Sequence, residues 1–196
     1  VSPTRGKNTE ETGVLLKLAN PRVRLSRTDT KGTAFSALGE LLWYLSGSKD
    51  LDFIKYYIRQ YEQDSEDGET INGGYGPRLF RLRREKKTIN QVENVIRLLD
   101  KSPDSRRAVV QLFDGSDIHG QRRKEVPCTC SLQFLRRRDQ LQLFASMRSN
   151  DAFWGLPHDV FAFTMLQEIV ARRLGIEVGV YKHFVGSLHL YDKHVA

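Results

Sequence analysis

The sequence predicts an α/β (α+β) layered domain, with helices and long strands interspersed along one chain. Three observations carry this. Apolar residues recur at helical spacing in Phe35, Leu38, Leu41, Leu42 and Leu45, and again in Ile89, Val92, Val95, Ile96 and Leu99. Short apolar runs at residues 108–113, 131–135 and 141–146 have strand character. The chain has 196 residues, 39% hydrophobic and 28% charged, which fills one core and not two.

Each element follows in order. Residues 6–13 are polar and read as a loop or hairpin. A buried helix is predicted over 33–46, ended by Gly47. A second helix over 50–61 leads into an acidic loop at 63–74, and a third stops before Pro103. The run at 108–113 is a strand. The runs at 131–135 and 141–146 flank a charged turn near Asp139, which predicts a hairpin. Pro157 opens a long helix through Arg173, closed by Gly175, and residues 178–191 form the last strand. Repeats, low-complexity tracts and linkers are absent, so one domain over 1–196 is expected.

The formal charge of +7 and pI near 9.5 suit an anionic partner: nucleic acid, a nucleotide phosphate or a polyglutamyl tail. Nucleic acid ranks lower, because no recognition signature accompanies the charge. The clusters at 81–84 and 136–138 read as solvated strand ends or hairpin turns. No run of 18 apolar residues predicts a membrane span, and the first residues carry no apolar signal segment. The chain does not begin with Met, which fits a processed or trimmed product. Cys128 and Cys130 are too close to bridge without strain, and no metal-ligand set surrounds them. A reducing, cytoplasmic setting is expected.

Several residues could do chemistry. Cys128 follows Pro127 at the start of a strand, and is either a small buried hydrophobe or a thiolate with positive charge beside it. Cys130 reads as core. Arg106 and Arg107 precede one strand, while Arg148 and Ser149 close another; both pairs suit a phosphate clamp or ordinary surface ion pairs. Glu40 lies inside an apolar helix, where a carboxylate is a boundary residue or a working acid/base. Asp159 sits in the first turn of the long helix, a favourable place for any negative charge. His189 and Tyr191 alternate on the last strand and share a face.

These pieces occur in order in one family. Residues 40–47 (Glu-Leu-Leu-Trp-Tyr-Leu-Ser-Gly), Tyr75-Gly76, Asp104-Ser105-Arg106-Arg107, Pro127-Cys128, Gln133-Phe134, residues 148–157 and residues 186–194 together resemble thymidylate synthase over nearly the whole chain. The resemblance implies a mixed sheet packed against helices, with one sheet face forming a homodimer interface. It implies Cys128 as the nucleophile that adds to C6 of a pyrimidine, and 5,10-methylenetetrahydrofolate as the donor of a one-carbon unit to C5. Glu40 and Tyr75 resemble the water- and proton-handling network. Arg5, Arg148 and Ser149 match phosphate ligands, and Arg106 and Arg107 match a pair supplied across the dimer. His189 and Tyr191 match residues that hold the sugar. Asp151, Trp154 and Gly155 match the folate side.

Three departures stand out. Asp159 replaces the usual Asn of the motif after Gly155-Leu156-Pro157. An Asn amide matches the O4 acceptor and N3–H donor of uracil, whereas cytosine inverts that edge. Asp159 therefore resembles the (deoxy)cytidylate hydroxymethylases. Thr129 replaces the usual His after the nucleophile, and Pro77-Arg78-Leu79-Phe80 replaces the usual Gln-Trp-Arg pattern. The family also continues past residue 194 into a lid over folate, while this chain stops at Ala196, either because the sequence is truncated or because the lid is lost; a lost lid would favour capture of water and a hydroxymethyl product. The leading expectation is a dCMP or CMP 5-hydroxymethylase. The alternatives are a dTMP-forming synthase and an inactive nucleotide- or RNA-binding relative.

Overall fold

The computed structural model describes residues 6–25, 27–28, 31–32, 34–120 and 123–194. In chain order these form β1 (Asn8–Leu18), a ribbon of β2 (Arg27–Thr28) and β3 (Lys31–Gly32), α1 (Ala34–Leu45), α2 (Leu51–Tyr57) and the single turn α3 (Tyr61–Asp64). Then come α4 (Tyr75–Phe80), a ribbon of β4 (Leu82–Arg84) and β5 (Lys87–Ile89), α5 (Gln91–Lys101) and β6 (Val109–Gln111). β7 (Thr129–Arg137), β8 (Gln140–Asp151), α6 (Gly155–Arg173) and β9 (Glu177–Tyr191) complete the order.

One five-stranded mixed sheet, β1-β9-β8-β7-β6, organises the layers. Only β8 and β9 run parallel, and the crossover between them is α6. Leu141, Leu143, Ala145 and Met147 point inward from β8, and Phe161, Phe163, Leu166 and Val170 meet them from α6. Burying such a side chain fully is worth roughly 1.5–3 kcal/mol, so this layer contributes substantially to stability. α1 packs on α6 from outside.

The predicted hairpin is present: Arg137 pairs with Gln140, and Arg138 and Asp139 both take positive φ (50° and 55°). That is the turn geometry matching strand twist, pinned here by the Arg136–Asp139 ion pair at 2.9 Å. Asn90 caps α5 through the Glu93 amide at 2.9 Å, as Asp50 caps α2 through Phe53; each cap contributes about 1 kcal/mol. The long helix closes at Gly175 with φ 65°.

Four expectations are corrected. Residues 6–13 are not a loop or hairpin: Asn8 onward is an edge strand, because the 15-residue β9 offers a partner along its length and an edge tolerates polar side chains. The second helix does not reach residue 61; it stops at Tyr57, and Ile58 is extended. In α1 the buried face is Ala37, Glu40, Leu41, Trp43 and Tyr44, while Phe35, Leu38, Leu42 and Leu45 remain exposed. Spacing located the helix and misassigned its inner face, since both faces are apolar. Cys130 is only half-buried and lies outside the core cluster.

Candidate active site

Cys128 sits at the mouth of β7, half-buried and packed against the core edge. Its neighbour across the sheet is Arg148 at the end of β8. The Arg148 guanidinium donates from Nε to Pro127 O at 2.9 Å and from Nη2 to Val126 O at 3.1 Å, and Nη2 lies 3.7 Å from Cys128 Sγ. Positive charge beside sulfur is what a nucleophilic thiolate requires. The cationic partner that spacing could not identify is thus Arg148. Behind the thiol, Thr129 donates from its amide (3.2 Å) and hydroxyl (2.9 Å) to Tyr75 Oη. Burial, then the nearby Asp159 and Cys128, push the Tyr75 phenol well above its ordinary range, so it stays protonated.

The opposite wall is acidic. Glu40 is buried on α1, where Tyr61 donates a short hydrogen bond to its Oε1. His158 Nδ1 stands 3.7 Å from Glu40 Oε2, and its Nε2 meets Ser36 Oγ at 2.9 Å. Gly39 allows α2 against this point: a Cβ there would lie 2.1 Å from the Tyr57 ring. Asp159 follows His158 on α6. The residue as a whole keeps some solvent exposure, yet its carboxyl is surrounded by protein. That enclosure, then the charge of Glu40, raises its pKa well above the carboxylate range, and a hydrogen bond from the Asn150 side chain opposes them.

A third cluster lies where β8 and β9 end. Ser149 Oγ is 3.4 Å from His189 Nδ1, and the His189 and Tyr191 rings stand 5.0 Å apart, edge to face. The alternation predicted for the last strand does put both on one face. Asp151 accepts from the Phe153 and Trp154 amides (2.8 and 3.1 Å), fixing the turn into α6. Trp154 is 48% exposed, and its indole donates to His194 at 2.9 Å. His194 also stacks on Phe153 with centroids 4.7 Å apart. This open aromatic rim suits a flat heterocycle.

Cys128 thus stands beside Arg148 and near Tyr75, Asp159 near Glu40 and Tyr75, and Ser149, His189 and Tyr191 form a contact group of their own. Arg106 and Arg107 do not join them: both are exposed before β6, where Gln133 Nε2 donates to Arg106 O at 2.9 Å and Arg107 N donates to Ser105 Oγ at 3.2 Å. Arg5 lies outside the described residues. Sequence reasoning missed Tyr61, Ser36, His158, Asn150, Tyr181 and His183. For Asn150 and His158 the signal was their place inside the motif at 148–159; Tyr61 and His183 have no local signature.

Comparison with known proteins agrees with this geometry. The sequence profile described as thymidylate synthase matches residues 13–196. The chain belongs to the thymidylate synthase family. Among curated relatives it is 33% identical over 199 aligned positions to the deoxyuridylate hydroxymethyltransferase of Bacillus phage SP01, covering 95% of this chain and 51% of that protein. It is 32% identical to the enzyme of the same description in Pseudomonas phage M6, covering 81% and 45% respectively. It is 30% identical to a thymidylate synthase of Bacillus subtilis subsp. natto, covering 85% and 61%. The chain spans about half the length of the curated relatives it matches.

Proposed function

We propose that the protein transfers a one-carbon unit to C5 of a cytidine monophosphate, dCMP or CMP, and releases a 5-hydroxymethyl product. The observation that carries the cytosine assignment is Asp159: a carboxyl at the base-edge position of the family motif, its pKa raised well above the ordinary value by burial and Glu40. A cytosine edge offers an N4 amino donor and a bare N3 acceptor. One Asp159 oxygen accepts from N4, and the proton on the other is shared with N3. Moving that proton toward N3 withdraws electrons from the ring and eases attack at C6. Cys128 Sγ then forms the bond to C6, beside the Arg148 guanidinium. The electron pair displaced from C6 makes C5 the nucleophile. Bound methylenetetrahydrofolate supplies the one-carbon unit to C5. We assign Asp151, Trp154 and Gly155 to its side of the site, on the strength of the aromatic rim at Trp154.

The remaining groups handle protons and position. Glu40, held by Tyr61 and His158, takes the proton leaving C5 and orders the water that gives the hydroxyl. Addition of that water returns an electron pair to the ring, which re-forms C5=C6 and expels Cys128 Sγ. Tyr75 donates toward the nucleophile side. Arg148 and Ser149 take the phosphate, His189 and Tyr191 the sugar. Arg106 and Arg107 complete the phosphate clamp from a second copy, in a homodimer.

A second reading is hydroxymethylation of dUMP. The names of the phage relatives favour it, and a protonated Asp159 also offers uracil one donor and one acceptor. Release of tritium from C5-labelled dCMP, CMP and dUMP, each with methylenetetrahydrofolate, separates the two. Release from a cytosine nucleotide, lost in Cys128→Ala, with a product of hydroxymethyl mass, is the expected result. Release from dUMP alone overturns the cytosine assignment.

A further inference from the structure

The departure at residues 77–80 leaves one group that the chemistry above does not use. Arg78 lies on α4, three residues after Tyr75, and its side chain is 15% exposed. Its guanidinium meets the Asp117 carboxylate as a fork: Nη1 donates to Oδ2 at 2.8 Å and Nη2 to Oδ1 at 2.6 Å. Nη1 also donates to Leu112 O at 2.6 Å, and Nη2 reaches Asn72 O at 3.5 Å. Asp117 belongs to the short helix Gly115–Ile118, is 6% exposed, and accepts from the Asp114 amide at 2.7 Å. A buried ion pair is a poor means of stability, since apolar side chains serve as well, but its fork fixes direction.

That direction matters because of what lies on either side. Leu112 N and Phe113 N, just past β6, both donate to Cys130 O on β7, at 3.0 and 3.2 Å. Cys130 follows Thr129, whose amide and hydroxyl both donate to Tyr75 Oη. Tyr75 and Arg78 share one helix, so the contacts close into a ring: Arg78, Leu112, Cys130, Thr129, Tyr75 and back through α4. A hydroxyl oxygen that accepts twice keeps its own proton to donate, and in a fixed direction. Gln91 braces the same ring, its Nε2 donating to Arg78 O and to Gln111 O, both at 2.8 Å. The segment from Leu112 to Cys128 is thus held at its start by Arg78 and at its end by Arg148, which donates to Val126 O and Pro127 O.

We propose that Arg78 and Asp117 are positioning residues for the nucleophile: they close this ring and so fix the Tyr75 hydroxyl against the residue that follows Cys128. This role rests on the assignment of Cys128 as nucleophile with Tyr75 in its network, and is independent of which base the enzyme accepts. A lysine at position 78 keeps the charge but presents one ammonium in place of the fork, and cannot span Leu112 O and both Asp117 oxygens. The amide of Thr129, a fully buried residue, reports the ring directly, because its bond to Tyr75 Oη protects it from exchange with water.

The test is amide hydrogen exchange in the full chain, followed by NMR without substrate, beside kcat and KM for C5-hydrogen release. Tyr75→Phe removes the acceptor and speeds Thr129 exchange by about tenfold or more. Arg78→Lys speeds it likewise, while the fully buried Leu143 of β8 and Val170 of α6 keep their wild-type rates. The double variant exchanges no faster than Tyr75→Phe, because a ring broken once is already open. In turnover, Arg78→Lys lowers kcat by about tenfold or more with KM unchanged, and adds nothing in the Tyr75→Phe background. Should Arg78→Lys fail to fold, Asp117→Asn keeps the shape of the carboxylate without its charge and carries the same comparisons, with a smaller acceleration. Unmoved Thr129 exchange, equal acceleration of Thr129 and the core amides, or additive effects in the double variant overturn the proposal. The exchange rates need no nucleotide, so absence of turnover on every nucleotide would remove the reading of Cys128 and leave the ring itself tested.

Discussion

Tyr75 lies within electrostatic reach of both Cys128 and Asp159, and the two groups occupy opposite surroundings. The Cys128 side is half-open and cationic, its loop tied by Arg148 to two backbone carbonyls. The Asp159 side is enclosed and acidic, with burial and then Glu40 raising the pKa of its carboxyl. Each arrangement suits its task. A thiolate needs positive charge and access, whereas a carboxyl that shares a proton with a base needs low dielectric and a like charge. Exchanging the two environments would disable both.

The largest effect expected on the open side is from Cys128→Ala, which lowers C5-hydrogen release by more than about a thousandfold, because the covalent step has no substitute. Arg148→Lys keeps the charge and loses the fork that spans Pro127 O and Val126 O. A loss of about tenfold or more in kcat/KM is expected; retention of full activity would show that charge alone suffices. On the enclosed side, Glu40→Gln removes the like charge, so the Asp159 midpoint falls, read by NMR titration of protein labelled at the aspartate carboxyl carbon. No fall would mean burial alone holds the proton.

The smallest effects are on stability. The His183 pKa is depressed on folding, so its contribution is full above its ordinary value near 6.5 and is lost as pH falls toward about 4. That difference is on the order of 3 kcal/mol. His183→Phe should therefore flatten the fall in Tm between those two pH values; an unchanged slope would place the acid sensitivity elsewhere. Asp159 runs the opposite way. Its pKa is raised, so its contribution is present at low pH and lost as pH rises through the folded value.

The same contrast explains what was legible in the sequence. Cys128, Glu40 and Asp159 were readable because they stand inside ordered motifs, and β7, β8, α6 and β9 because periodicity and turn chemistry agree there. The apolar residues of α1 misled: Phe35 and Leu38 carry the helical period yet face outward, since period says nothing of which face meets the neighbouring helices. β1 was invisible because its register comes entirely from β9, some 170 residues away. Tyr61 and His183 are found only by tertiary packing, which brings α3 to α1 and β9 to β8. Motif residues announce themselves, and the groups that orient them do not.

The central claim is that Asp159 at the base edge sets the base preference, and the most direct measurement compares wild type with Asp159→Asn for C5-hydrogen release from dCMP, CMP and dUMP. The account predicts a wild type that favours a cytosine nucleotide and a variant whose preference moves toward dUMP by about a hundredfold or more, as an amide matches only the uracil edge. Equal preference for dUMP in both proteins would contradict it.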